Sequence, residues 1–163
     1  MSKTVLYMAI SSDGFIAGPD DETPWSQEEW EAFKAFAKTC DVLLLGRRTY
    51  EIMRKQDEFV KGPEYIVVTH EKSLNAGKFK KISIDTKADM PKAGKIGVIG
   101  GGELNGSLAL LGVIDEIILD IEPAVLGEGT QLFGSYGIPL KLKLLGSQLI
   151  GESTTQRHYQ VVR

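Results

Sequence analysis

Three short stretches of this chain bring together residue types that bind anions. Gly46-Arg47-Arg48-Thr49 follows the apolar run DVLLLG and opens a segment that reads as a helix, RRTYEIMRK. Thr69-His70, with Lys72 close behind, ends the run EYIVVTH. Gly100-Gly101-Gly102 ends KIGVIG and opens ELNGSLALLG. A helix N-terminus presents unpaired N–H groups and a partial positive charge, which together favour a phosphate. Glycines there let the N–H groups approach a ligand with no Cβ in the way, and arginines add bidentate contacts to phosphate oxygens. Arg47 and Arg48 oppose the helix dipole unless an anion compensates them, a local inconsistency that points to function. Taken singly, a glycine turn is plain geometry, and either arginine has surface carboxylates such as Asp57 or Glu58 to pair with. Three such strand ends in 163 residues point to a nucleotide site.

The elements that would position these residues follow from periodicity. TVLYMAIS (4–11) is apolar at both parities, as a strand buried on both faces should be. SSDGFIAGPDDETP (11–24) reads as a loop. Ser26 is a candidate N-cap, with Glu29 three residues on to complete a capping box, and Trp30, Phe33, Phe36 and Ala37 recur at helical spacing. Strand-like runs at 41–46, 64–70, 81–84 and 95–100 alternate with helices to about residue 112. Residues 115–127 read as a further strand that Pro123 ends, and LKLKLLGSQLIG and STTQRHYQVV as two half-exposed antiparallel strands. The expected architecture is three-layer α/β/α, with a mostly parallel central sheet and antiparallel strands at its C-terminal end, in one domain spanning residues 1–163. Ligands in such sheets sit at the carboxyl ends of the strands, where the three stretches lie.

Composition narrows the function. A net charge of −3 gives no electrostatic reason for a nucleic-acid or anionic-membrane partner. No apolar run is long enough to span a bilayer, and MSKTVLYMAI lacks the pattern of a secretory signal. The single Cys40 and two histidines argue against a disulfide or a zinc site, and inert packing is the reading for Cys40. A cytoplasmic, metal-free protein with a small-molecule ligand is expected. The chain has no GxGxxG after its first strand, no acidic residue after its second and no GxxxxGK[ST] loop. Arginine in place of the acidic residue suits a 2′-phosphate, hence NADPH rather than NADH.

DGFIAG, TPWSQEEWEAFK, LLLGRRTYE, YIVVTH and VIGGGELNGSL occur in an order and spacing that resemble the dihydrofolate reductase fold. With DEIILDIEPAVLGEGTQLF they are more similar to the C-terminal reductase domain of the bifunctional riboflavin-biosynthesis deaminase–reductase, over nearly the whole chain. The resemblance implies NADPH as cofactor. It implies that Arg47, Arg48 and Thr49, next to Gly46, hold the 2′-phosphate and pyrophosphate, with Thr69, His70 and Lys72 near the adenosine phosphate. Gly101, Gly102, Glu103 and Leu104, after Gly100, would line the pyrophosphate turn, and Ala9 and Ile16 would flank the nicotinamide.

For the chemistry, the dihydrofolate reductases place a carboxylate on the first helix, and Glu29 stands nearest that position. Beside Trp25, Trp30 and Phe33 its pKa would rise and suit it to protonation; the capping box is the competing role. Asp13 is a second candidate, with a plain Asp-Gly turn as its alternative. Trp25 is either a lid or a loop anchor. Phe33 and Thr130, the latter in a Gly-Glu-Gly-Thr loop like the family's substrate loop, complete the expected substrate contacts. The chain departs from the riboflavin enzymes where they carry a lysine before S-L-D-G and a D-D-P-x-L stretch; here stand Tyr7-Met8 and TYEIMRKQDEF. The leading expectation is therefore an NADPH-dependent reductase of a C=N or sugar imine or carbonyl, on a ribosylaminopyrimidine phosphate or a pterin. The alternatives are a non-catalytic nucleotide-binding module and a flavin- or mononucleotide-binding domain. Long, moderately apolar late strands, and the habit of relatives, predict a homodimer.

Overall fold

The apolar run near the N-terminus becomes β1 (Lys3–Ser11), which runs through the middle of an eight-stranded sheet. The structure, a computed structural model, describes residues 2–163. The strands that flank β1 arrive later in the chain: β3 (Val42–Gly46), β4 (Glu64–Val68), β5 (Lys80–Ile82), β6 (Lys95–Val98) and β7 (Glu116–Glu122). The sheet order is β5-β4-β3-β6-β1-β7-β10-β9. All pairs from β5 to β7 are parallel, whereas β10 (Thr154–Val162) is antiparallel to both β7 and β9 (Lys141–Ile150). Continuous apolar runs suit strands covered on both faces, and two separate cores result.

On one face, α1 (Gln27–Ala37) and α2 (Arg47–Gln56) bury Phe33, Phe36, Tyr50 and Met53 against Tyr7, Leu43 and Leu45. On the other, α3 (Gly102–Leu110) buries Leu104 and Leu108 against Leu6, Leu44, Val98 and Ile117. The three-layer α/β/α expectation, with its antiparallel end, describes this arrangement. Because β3 feeds a helix on one face and its neighbour β6 feeds a helix on the other, a crevice opens at their carboxyl ends.

The structure departs from the expected elements in three places. The segment read as one loop contains β2 (Phe15–Ala17), which pairs with β8 (Thr130–Gln131) in a separate two-stranded sheet. Strands of three and two residues are too short to show a period. Second, β4 ends at Val68, so Thr69 and His70 lie in the turn beyond it. Third, β9 is exposed along nearly its whole length rather than on one face. It is the outermost strand, and α2 and α3 pack over β3 and β4 further in.

Candidate active site

The crevice is a cleft of about 530 Å³ whose lining includes Gly46, Arg47, Arg48, Thr49, Gly101 and Gly102 at one end. The paired arginines and the last two glycines of the Gly-Gly-Gly bend therefore share one cavity. Both α2 and α3 start at a glycine N-cap, Gly46 and Gly101, with no side chain on their first N–H groups. The Gly46 N–H donates to the Gly100 carbonyl at 2.8 Å, which ties the two strand ends together. A Cβ at Gly46 would stand 3.6 Å from the Gly101 nitrogen, so glycine keeps the channel between the helix starts clear. These are the groups an extended, doubly phosphorylated nucleotide needs: free N–H donors, cations and a backbone without side chains.

The three consecutive glycines do different work. Gly100, at φ 99, turns the strand end in a conformation that side chains rarely adopt. Gly101 caps α3. Gly102 lines the cleft, but its missing Cβ serves packing, because a methyl there would stand 2.7 Å from the Gln131 carbonyl oxygen and from the Gly134 nitrogen. Glu103 and Leu104 also line the cleft, and the Glu103 carboxylate accepts from the Ser135 N–H at 2.9 Å and its hydroxyl at 3.1 Å.

Arg48 pairs with Asp21 (2.7 Å) rather than with Asp57 or Glu58. Arg47 pairs with Glu51 at 3.3 Å and with Glu71 at 3.2 Å. Thr69, His70 and Lys72 are not among the cleft-lining residues. They sit beside it, since Val68 is in register with Gly46, and exposed His70 bonds Asp85 at 2.6 Å. Gly100 likewise lies behind the lining rather than in it.

At the other end, Ala9, Ile16, Trp25, Phe33 and Thr130 line the same cleft, together with Trp30, whose ring stacks on Phe33 at 5.4 Å. Glu29 is buried and faces this end. Ser26 caps α1, accepting from the Glu29 N–H at 3.1 Å. The reciprocal half of the expected capping box is taken by another residue: the Ser26 N–H donates to Glu122 at 2.9 Å. Buried Glu122 also accepts from the hydroxyls of Ser26 (3.0 Å) and Thr154 (2.7 Å). The Glu29 carboxyl is thereby released from capping, and the Ser26–Glu122 bonds seat the start of α1 on β7, where buried Asp120 lies two residues before Glu122 on the same face. Burial first, then the nearby Asp120 and Glu122 carboxylates, push its pKa up to about 8.

Asp13 lies outside the cleft. It accepts from the Ser11 hydroxyl (2.6 Å) and from the N–H groups of Leu126 (3.0 Å) and Gly127 (2.8 Å). Those bonds, Ser11's first, pull its pKa down to about 2, which leaves it without a proton to give at neutral pH. It pins the loop after β7 to the loop after β1. Two groups that the sequence did not reveal join Glu29 instead: Asp120 on β7, and Tyr7 on β1, whose hydroxyl donates to Asp120. Asp120 lies within the DEIILDIEP stretch, where nothing singles it out; only the pairing of β1 with β7 brings it to Tyr7.

The RibD C-terminal domain family matches residues 2–155 of the chain. The uncharacterized protein YwjB of Bacillus subtilis (strain 168) is 33% identical, over 96% of this chain and 97% of YwjB. Among solved structures, RibD of Acinetobacter baumannii superposes with a TM-score of 0.81 at 14% identity, covering 99% of this chain and 58% of the longer RibD chain. Dihydrofolate reductase from Enterococcus faecalis, complexed with NADP(H), superposes with a TM-score of 0.76 at 18% identity, over 98% and 96% of the two chains. At those identities the solved structures establish a shared fold.

Proposed function

The chain belongs to the RibD C-terminal domain family, and on that premise we propose a cytoplasmic, NADPH-dependent reductase of a C=N or sugar imine or carbonyl group in a small heterocyclic compound. One observation carries the reading: two glycine-capped helix starts, two arginines and a buried acid open into a single cleft. Bound NADPH supplies the hydride. Arg47, Arg48 and Thr49 hold its 2′-phosphate and pyrophosphate with the first N–H groups of α2 and α3, and Thr69, His70 and Lys72 border the adenosine side. Ala9 and Ile16 flank the nicotinamide.

Trp25, Trp30 and Phe33 offer an apolar wall on which a flat ring stacks, with Thr130 at its edge. Glu29, held protonated by burial, gives its proton to the substrate nitrogen or oxygen as hydride reaches the adjacent carbon. Among the described residues, no basic side chain other than Arg47 and Arg48 lines the cleft. With both committed to the cofactor, this favours a pterin-like ring over a ribosylaminopyrimidine phosphate. In the same reading the molecule is a homodimer joined through β9.

Titration with the two nicotinamide cofactors tests the assignment. NADPH should bind at least about tenfold more tightly than NADH, since each charge-assisted phosphate contact contributes roughly 1.5–3 kcal/mol. Arg47→Ala with Arg48→Ala should erase most of that preference. Equal affinity for both cofactors rules against the 2′-phosphate site. NADPH oxidation with pterins, pyrimidines and ribosylaminopyrimidine phosphates then identifies the substrate.

A further inference from the structure

Behind Glu29 lies a buried polar group that the cofactor and substrate do not touch. Asp120 is fully buried and does not line the cleft. One of its oxygens accepts from the Tyr7 hydroxyl. The other accepts from the Gln156 side-chain amide at 2.8 Å, and that amide also reaches the Tyr7 oxygen at 3.4 Å. The three residues come from neighbouring strands β1, β7 and β10, with Ala9 and Gln156 in register with Asp120 on either side. Tyr7 is itself locked, its ring stacked on Phe36 at 4.6 Å and edge-on to Phe33 at 5.9 Å.

We propose that Asp120, fixed by Tyr7 and Gln156, is a positioning residue that accepts a hydrogen bond from protonated Glu29 and keeps that proton at the floor of the cleft for delivery. This rests on Glu29 being the proton donor of the reductase described above. A buried carboxylate is costly unless a cation or donors offset it. Among the described residues no ion pair involves Glu29, Asp120 or Glu122. The titratable groups that act on Glu29 are Asp120 and Glu122 from β7 and Tyr7 from β1; uncharged Thr154 and Gln156 from β10 bond those two carboxylates. Glu58 lines the cleft as well, and His158 on β10 is committed to Glu116 at 2.6 Å.

Two adjacent buried carboxyls cannot both ionise cheaply, so one proton is shared. Tyr7 and Gln156 decide where it rests. Burial raises the pKa of Asp120 as well as that of Glu29, but both donors favour the charged form of Asp120, so the proton is left on Glu29, the member of the pair that reaches the cleft. In the step, hydride supplied by a bound dihydronicotinamide would reach the substrate carbon, leaving the nicotinamide oxidised. The C=N π pair moves to nitrogen and takes the Glu29 proton. Glu29 is left as a carboxylate beside Asp120, a repulsion that favours donation and then draws a new proton from solvent through the open cleft.

The test reads Glu29 directly, by NMR titration of the ¹³C-carboxyl of glutamate-labelled protein without cofactor, with Glu29→Gln assigning the signal. Wild type should titrate near pH 8, and Asp120→Asn should move that midpoint down by at least about one pH unit, the size of a close carboxylate's influence. Tyr7→Phe, which keeps the ring packing, should move it in the same direction by less, and serves if Asp120→Asn does not fold. With substrate, the alkaline limb of the kcat profile should move with the midpoint, while NADPH affinity stays within about twofold of wild type. An unmoved Glu29 midpoint in both folded variants overturns the inference. Expected titrations without NADPH oxidation on any substrate overturn the reductase reading, and with it the delivery role.

Discussion

Asp21 and Arg48 form an ion pair, 2.7 Å between Oδ2 and Nε, between two segments that line the same cleft. The carboxylate occupies one of the guanidinium groups assigned to the cofactor's phosphates. On the proposed assignment an arriving phosphate would have to displace it, so Asp21 would compete with the ligand. Exposed pairs of this kind contribute about 0–1 kcal/mol, and Arg48 is 66% exposed. Asp21→Asn should therefore tighten NADPH about two- to fivefold. Asp21 sits at φ 63, a conformation that asparagine tolerates well, so the backbone is undisturbed. An unchanged Kd by fluorescence titration would separate Arg48 from the phosphate site.

Two glycines in the cleft wall should respond oppositely to a methyl group. A Cβ at Gly102 meets the backbone of Gln131 and Gly134 at 2.7 Å, and neither can yield without moving the loop. Gly102→Ala should cost about 1–3 kcal/mol as overpacking and lower Tm by several degrees. A Cβ at Gly46 meets nothing closer than 3.6 Å, and φ −77 suits alanine. Gly46→Ala should leave Tm within about a degree, because nothing in the fold is displaced. Its methyl group instead enters the channel between the two helix starts and should weaken NADPH by about tenfold or more. Thermal melts and cofactor titrations on the same two variants decide this.

The buried acid imposes a pH dependence on folding. Glu29 has a folded pKa raised to about 8, against roughly 4.3 in an unfolded chain. The native state thus binds the extra proton between those values, and stability falls as pH rises from about 4.3 through 8. Glu29→Gln carries no titrating proton. Its Tm should exceed that of wild type above pH 8, with the difference shrinking toward pH 5. Parallel Tm curves for the two proteins across this range would show Glu29 to be an ordinary ionised carboxylate.

The end of the cleft lined by glycines and arginines is legible in the sequence because its parts are contiguous. Gly-Arg-Arg-Thr and Gly-Gly-Gly each sit at a strand-to-helix junction, and apolar runs mark both junctions. The acid end is legible only in part. The Ser26–Glu29 spacing announces a cap, and half of it forms; that Glu122 supplies the other half depends on β7 passing beside α1's start. Tyr7 and Asp120 are 113 residues apart and Gln156 a further 36. Within DEIILDIEP, Asp120 looks like one polar position of a half-exposed strand, and only sheet order puts it in the dark. Asp13 misleads for the converse reason: an acid beside a predicted active-site loop has the right address, but three donors hold it to neighbouring loops.

The outer edge of the sheet carries the last prediction. β9 is the terminal strand, and Leu144, Leu145 and Leu149 on it are 54%, 48% and 64% exposed. An unpaired strand edge with apolar side chains is a template for another strand. A second copy of β9 is the partner its own sequence fits. Antiparallel pairing about a two-fold axis at Leu145 sets Lys141 opposite Leu149 and Lys143 opposite Ser147, so no like charges face each other. The protein should run as a dimer in light scattering coupled to size exclusion. Leu145→Lys puts two ammonium groups at the axis and should give a monomer with its Tm at high dilution unchanged, because a side chain already half in solvent contributes little to the isolated fold. A wild-type monomer at tens of micromolar would mean that this edge is left unpaired.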